Sequence, residues 1–92
     1  MIRSFADPET EHIFFTGKSR RFSGILGVAR RKLQVLDNTP HLDDLREPHG
    51  NRLEALRGDR KGQHSIRIND QYRICFRWED GEAHEVEIVD YH

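Results

Sequence analysis

The chain has 92 residues, the length of one domain, and 34% of them are charged while 35% are hydrophobic. A chain this short builds one thin core, which excludes a large enclosed active site and a separate substrate-binding domain. The net charge is −1, but basic residues gather in 16–34 and acidic residues in 79–92. Arginine supplies 12 of the 15 basic residues, a composition compatible with a phosphate-rich or acidic partner.

The sequence shows no signal for export or membrane insertion. Cys75 is the single cysteine, so an intramolecular disulfide cannot form. The first five residues lack the apolar segment of a signal peptide, and the longest apolar run, 13–15, is too short to span a membrane. We therefore expect a cytoplasmic protein with no membrane association.

The first residues of the chain predict a short strand and a helix. Residues 2–5 suit a strand. Asp7 and Pro8 are typical of an N-cap followed by proline at the first helical position. We expect this helix to cover about 8–16 and to end at Gly17.

A second helix is predicted over about 23–38, followed by a loop over 38–51. Apolar residues recur in this helix at steps of three and four, which is the helical period: Phe22, Leu26, Ala29, Leu33 and Leu36. The basic residues of the helix fan around its exposed faces and favour a solvated surface over one binding stripe.

From residue 52 onward the apolar period changes to two, which predicts strands. The expected strands and connections are 52–57, a turn at 58–62, 64–68, a hairpin turn at 69–71, 72–78, a five-residue loop at 79–83, and 84–89. The order β-α-α-β-β-β-β predicts an α+β fold, with both helices packed on one face of a small, twisted, mainly antiparallel sheet.

Requiring one apolar face fixes the predicted strand register. It pairs Ile66 with Ile74, Ile74 with Ile88, and Phe76 with Val86. On the other face, the same register sets Arg77 opposite Glu85, an ordinary ion pair, and Arg67 opposite Arg73. Like charges directly opposite are destabilising unless something compensates them. Either a carboxylate or a bound phosphate would do so.

The chain ends in Asp90-Tyr91-His92, directly after the last predicted strand and near Arg73. Three polar terminal residues often fray, but these groups also suit RNA cleavage without a metal. One group takes the 2′-hydroxyl proton, another protonates the leaving oxygen, and a guanidinium stabilises the charged phosphorus centre. The six histidines lack metal-ligand spacing, so we expect no metal and no cofactor.

Three stretches resemble HigB-type toxins of the RelE superfamily, the plasmid maintenance killer family. They are Leu53-Glu54-Ala55-Leu56-Arg57-Gly58-Asp59-Arg60, the segment from Ser65 through Tyr72-Arg73-Ile74-Cys75-Phe76, and Glu87-Ile88-Val89-Asp90-Tyr91-His92. The resemblance covers essentially all of 1–92 and implies one RelE-like domain that cleaves mRNA in the ribosomal A site. It also implies neutralisation by a HigA-type helix-turn-helix antitoxin, with operator DNA contacted only through that antitoxin.

The resemblance also implies roles for individual residues. Arg73 matches the strand arginine that contacts the scissile phosphate, and the catalytic trio matches Asp90, Tyr91 and His92. Arg57 matches a basic position that contacts RNA. Further candidate RNA- or phosphate-binding residues are Lys18, Arg20, Arg21, Arg60 and Arg67.

Glu54 departs from the family pattern, because some members carry an active-site histidine at its position. A glutamate can act as a base, but it repels phosphate. The sequence leaves Glu54 and Tyr91 open as the general base, with a protonated His92 expected as the general acid.

The sequence therefore leaves two functional hypotheses of different classes. The first is a ribosome-dependent mRNA endonuclease. The alternative is a non-catalytic RelE-fold protein, which inhibits by binding or acts with its antitoxin as a corepressor. The terminal acid-base cluster favours the nuclease, whereas Glu54 keeps the alternative open.

Overall fold

Two helices pack on one face of a four-stranded sheet in a computed structural model that describes residues 1–91. The elements are α1 (Pro8–Thr16), α2 (Leu26–Asn38), β1 (Glu54–Ala55), β2 (Gln63–Arg67), β3 (Tyr72–Glu79) and β4 (Glu82–Asp90). The strands lie in the order β1-β2-β3-β4 and every neighbouring pair is antiparallel. The predicted α+β class is confirmed. No helix within residues 1–91 is long and apolar enough to cross a membrane.

Helix α1 begins and ends as its sequence predicts. The Asp7 carboxylate accepts a hydrogen bond from the Thr10 backbone N–H at 2.7 Å, which satisfies one of the free donors of the first turn. Gly17 takes the left-handed conformation, with φ 71°, and its N–H donates to the Ile13 carbonyl. Arg30 of α2 then donates to the Phe14 carbonyl at 3.3 Å and ties the two helices together.

Helix α2 begins three residues later than predicted. Residues Ser23–Ile25 form a single 3₁₀ turn before it. Gly24 and Gly27 each lower the helix propensity of this region by about 1 kcal/mol relative to alanine, which disfavours an earlier start. The apolar face itself is confirmed, because Ala29, Leu33 and Leu36 are fully buried.

The two shortest predicted strands differ most from the structure. Residues 2–5 make only two isolated parallel bridges to β4, Ile2 with Ala83 and Phe5 with Val86. Strand β1 is two residues long, against the six expected over 52–57. Arg52 has a positive φ of 44°, a left-handed conformation that cannot continue into a strand.

The core register is confirmed along β2, β3 and β4. Ile66 pairs with Ile74, and Ile74 pairs with Ile88. These side chains join the helix residues in one core. The side chains of alternate residues, beginning with Ser65 and Arg73, therefore point away from the helices.

The β3–β4 hairpin corrects two predictions. Its connection is not a five-residue loop but a two-residue turn, in which Asp80 and Gly81 have positive φ values of 53° and 77°. A bulge at Glu85, with φ 54°, then shifts the register between Cys75 and Arg77.

Because of that bulge, the predicted backbone pair Arg77–Glu85 is wrong, and the predicted pair Phe76–Val86 falls at the bulge itself. Arg77 lies opposite His84 instead. The Arg77 guanidinium still reaches Glu85 at 3.7 Å, so the predicted ion pair survives the change of register.

Candidate active site

Arg73 is the most buried charged residue within residues 1–91, with 9% of its surface exposed. It lies on the sheet face away from the helices. Its Nε donates to Ser65 Oγ at 2.7 Å, and its Nη2 donates to the Arg52 carbonyl. A guanidinium has five N–H donors in a rigid plane, so these bonds fix its orientation. The structure therefore presents a preoriented cation with its Nη1 edge toward Glu54.

Glu54 forms only a weak ion pair with the Nη1 edge of Arg73. Its Oε1 lies 3.8 Å from Arg73 Nη1, and its side chain is 56% exposed. Strand pairing explains the placement, because β1 sets Glu54 beside Ser65, the residue that holds Arg73. Because the Glu54 carboxylate is exposed and 3.8 Å away, the pair is weak, and an incoming anion can compete for Arg73.

Tyr91 covers the other side of Arg73. Its backbone N–H donates to the Gln71 carbonyl at 2.7 Å, which extends the sheet by one residue beyond β4. The Arg73 Cζ lies 6.0 Å from the centre of the Tyr91 ring. Burial raises the pKa of Tyr91, and nearby Cys75 adds to the effect. Tyr91 therefore presents a neutral phenol.

Beneath Tyr91 lies a polar layer that the sequence did not reveal. Cys75 is fully buried, and its Sγ lies 4.0 Å from the Tyr91 hydroxyl. Arg60 Nη1 donates to Glu87 at 2.6 Å and to Gln63 at 3.1 Å. The hydrogen bond to Glu87 raises the pKa of Arg60. The predicted RNA ligand Arg60 thus already has two partners inside the protein.

Asp90 lies on the other face of the sheet from Arg73. It pairs with Tyr72, and Arg73 pairs with Val89, so strand alternation separates the two side chains. The Asp90 carboxylate accepts a hydrogen bond from the Gln71 amide at 3.1 Å. The expected gathering of the terminal trio around Arg73 is therefore seen for Tyr91 and not for Asp90. His92 lies outside the described residues.

The predicted juxtaposition of Arg67 and Arg73 is confirmed, since the two residues are direct partners across β2 and β3. Each guanidinium meets its own carboxylate: Arg67 bonds Asp70, and Arg73 faces Glu54. The sequence left open whether a carboxylate or a bound phosphate offsets the repulsion between the two arginines. Within the protein, carboxylates do so. Both carboxylates are exposed, so the pair of arginines still presents positive charge to solvent.

Three of the remaining predicted phosphate ligands lie in the helix layer, apart from this group. Lys18 and Arg20 line an open cleft of about 590 Å³ beside α1, in the helix layer. The Arg21 guanidinium lies 4.9 Å from the centre of the Phe22 ring. Arg57 is exposed and precedes the 3₁₀ turn at Gly58–Arg60.

Two residues near the site were missed by the sequence interpretation. Ser65 is fully buried and orients Arg73. Lys32 reaches from α2 to hydrogen-bond the side-chain oxygen of Asn51, in the turn that precedes Arg52. Ser65 falls in a family-like stretch but had no predicted role, and its contact with Arg73 comes from the pairing of β2 with β3. The role of Lys32 comes from the way the 49–52 segment folds over the sheet. No three His, Cys, Asp or Glu side chains in residues 1–91 are grouped to hold a metal ion.

This architecture is the RelE-like fold. The solved YoeB-YefM complex from Staphylococcus aureus shares the fold, with a TM-score of 0.61 over 100% of this chain and 98% of that chain, at 17% identity. Residues 3–92 match the family described as "RelE-like toxin of type II toxin-antitoxin system HigB". The chain belongs to that family, and the resemblance found in its sequence is confirmed.

Two relatives are similar over nearly the whole chain. One is Toxin HigB-1 of Vibrio cholerae serotype O1 (strain ATCC 39315 / El Tor Inaba N16961), with 44% identity over 85 residues and 90% of both chains covered. The other is Endoribonuclease HigB of Proteus vulgaris, with 33% identity over 96 residues and 100% of both chains covered. The chain is therefore the toxin of a type II toxin-antitoxin system.

Proposed function

We propose that this toxin cleaves mRNA on the ribosome, without a metal, and thereby stops translation in the cytoplasm. The observation that carries the proposal is Arg73, a guanidinium held by Ser65 and Arg52 with one edge open to an anion. A donor fixed before the reaction is worth more than a mobile one, because nothing has to reorganise as charge develops. The name of the Proteus vulgaris relative, an endoribonuclease, supports this activity.

In the proposed reaction the RNA 2′-hydroxyl oxygen attacks phosphorus, and the bond from phosphorus to the 5′-oxygen breaks. Arg73 stabilises the additional negative charge on the phosphoryl oxygens. Glu54 is the base that takes the 2′-hydroxyl proton, since it lies at the open edge of Arg73. The raised pKa of Tyr91 disfavours the phenol as base and suits it to contact the ribose or a base. His92 delivers a proton to the 5′-oxygen.

In this proposal the ribosome supplies the substrate positioning that so small a domain lacks. A domain of 92 residues is too thin to build a deep substrate groove, so we infer that mRNA is held in position from outside. Correct orientation of reacting groups is worth about 7–11 kcal/mol, enough to make cleavage of free RNA very slow. We therefore expect activity only on ribosome-bound mRNA.

The proposed antitoxin is of the HigA type and binds the basic helix region over 18–32. The cleft lined by Lys18 and Arg20 lies in this region. Operator DNA is then contacted only through the antitoxin. The solved YoeB-YefM toxin-antitoxin complex from Staphylococcus aureus, which has this fold, supports an antitoxin partner.

The test compares Arg73→Ala with Arg77→Ala, an arginine on the same strand that is paired with Glu79 and Glu85. Arg73→Ala is expected to lower cleavage of mRNA in programmed ribosomes by about 10²–10³-fold. Arg77→Ala should retain activity. Circular dichroism melts of both variants check folding, and the wild-type protein should barely cut the same RNA when it is free. Full activity of folded Arg73→Ala, or equal cleavage of free RNA, contradicts the proposal.

One observation favours the non-catalytic alternative: Asp90 lies on the opposite face from Arg73. In that case the protein would inhibit by binding, or would act with its antitoxin as a corepressor. Growth inhibition without any cleavage of ribosome-bound mRNA would identify an inhibitor that works by binding. Operator binding by the antitoxin that strengthens with toxin, without growth inhibition by the toxin alone, would identify a corepressor.

A further inference from the structure

A second cationic site lies beside Arg73, built around Lys32. Lys32 extends from α2 and its ammonium donates to the side-chain oxygen of Asn51. Asn51 is itself fully buried, and its amide donates to the carbonyls of Leu45 at 3.2 Å and Glu47 at 3.1 Å. The partner of Lys32 is therefore rigidly placed, and the ammonium is held at one position over the edge of the loop.

The same loop holds Arg73. Asn51 receives the hydrogen bond of Lys32, and the next residue, Arg52, offers its carbonyl to Arg73. Lys32 and Arg73 therefore bind consecutive residues of one loop, whose Cα atoms are about 3.8 Å apart. Their relative position is therefore a built feature of the fold.

The charged side chains that act on Lys32 within residues 1–91 are arginines. Burial lowers the pKa of Lys32, and the positive charges of Arg31 and Arg67 lower it further. No ion pair among the described residues includes Lys32, and Arg67 has only the exposed carboxylate of Asp70. Cations held close together, with one exposed carboxylate as their only ion-pair partner in residues 1–91, favour binding of an external anion.

We propose that Lys32 and Arg67 bind a second backbone phosphate of the RNA, adjacent to the phosphate held by Arg73. The proposal rests on the proposed function and adds a substrate subsite to it. RNA is favoured over an acidic protein segment because Lys32 and Arg67 are both continuous with Arg73. Lys32 connects to it through Asn51 and Arg52, and Arg67 is its direct partner across the sheet. A polynucleotide carries a phosphate at every nucleotide, so one strand can occupy both sites.

The experiment measures binding of a short single-stranded 2′-O-methyl RNA, which cannot be cleaved, at several low salt concentrations. Each phosphate neutralised on a single strand adds about 0.7 to the slope of log K against log salt. Lys32→Gln is expected to reduce that slope by about 0.7 relative to wild type. The control Lys61→Gln removes an equal charge from an exposed position outside the cluster and should leave the slope close to the wild-type value.

Lys32→Arg separates charge from folding, because it keeps the positive charge while changing the contact with Asn51. It should retain the wild-type slope, and thermal melts check that Lys32→Gln is folded. A slope that is the same for Lys32→Gln and Lys61→Gln overturns the proposal, as does a wild-type protein whose RNA binding ignores salt. Weaker antitoxin binding by Lys32→Gln with unchanged RNA binding also overturns it, in favour of a protein-binding surface.

The proposed function is tested apart from this subsite. If wild type does not cleave ribosome-bound mRNA but Lys32→Gln still reduces the slope of log K against log salt, the proposed nuclease activity is wrong and the phosphate site stands. If wild type cleaves and the slope does not change, only the subsite is wrong.

Discussion

The two faces of the sheet are equally buried at their centres but are built by different means. On the helix-facing side, Ile66 and Ile74 are fully buried under α1 and α2. On the other side, Ser65, Arg73 and Cys75 are buried to a similar degree beneath irregular chain and Tyr91. The first face is held by apolar packing, and the second by hydrogen bonds among groups that would be costly to leave unpaired. Stability should therefore depend mainly on the first face and activity on the second.

The largest effect is expected for His92→Gln, which removes the proposed general acid. Loss of such a group lowers the rate by about 10²–10⁴-fold. Stability should change little, because a terminal residue is rarely needed for folding. Single-turnover cleavage of ribosome-bound mRNA measures the rate, and a thermal melt measures stability.

A fully active His92→Gln protein would remove this residue from the mechanism. Replacement of His12 by glutamine is the matched control, since His12 is exposed on α1 in the helix layer.

On the apolar face, Ile74→Ala should lower the free energy of unfolding by about 2–5 kcal/mol, because it leaves a cavity at a fully buried position. Urea unfolding followed by circular dichroism measures the change. Val35→Ala on the exposed side of α2 should cost far less, since Val35 is 39% exposed. If Ile74→Ala were no more destabilising than Val35→Ala, the contrast between the two faces would fail.

Ser65→Ala tests how the polar face orients its arginine. The change leaves Arg73 Nε without its partner at 2.7 Å, which costs about 1–3 kcal/mol of stability. Ser65→Thr keeps the hydroxyl and should recover much of the activity.

A positioning role for Ser65 predicts a lower kcat with KM nearly unchanged, because the guanidinium is still present but less well aligned. Loss of stability with an unchanged kcat would reduce Ser65 to a structural residue.

The apolar face was the predictable one. Strand alternation aligned Ile66, Ile74 and Ile88 correctly, and Asp7 with Gly17 marked the ends of α1. The bulge at Glu85 was not predicted, since a glutamate with φ 54° carries no local signal in its residue type. It follows from the Asp80-Gly81 turn, which fixes the register at one end of the hairpin while the isoleucines fix it at the other.

The site was predictable where it depended on the sheet and not where it depended on loops. Register alone placed Arg67 opposite Arg73. The contacts of Arg73 with the Arg52 carbonyl and of Lys32 with Asn51 require the loop before β1 to fold back over the sheet. No periodicity describes that loop, because it follows hydrogen bonds to backbone carbonyls, such as those made by the buried amide of Asn51.

The smallest expected effect is a pH dependence that belongs to the polar face alone. Burial raises the pKa of Cys75 above its ordinary value of 9.0, because the thiolate is disfavoured there. Between the unfolded and the folded pKa, the native protein therefore holds a proton that the unfolded chain has released. Stability is fully present below about pH 9 and is lost as pH rises through the folded value.

Replacing Cys75 by alanine should reduce the loss of stability at alkaline pH. Ile74→Val alters only the apolar face and should leave the slope of stability against pH unchanged. Urea midpoints at pH 7.5 and at two more alkaline values give the comparison. Tyr91 adds to the slope in the same direction, because its pKa is raised as well, so Cys75→Ala should reduce the dependence without abolishing it. An identical slope in Cys75→Ala and wild type would mean that the buried thiol contributes nothing to it. Of the two groups, Tyr91 alone would then contribute to the alkaline loss of stability.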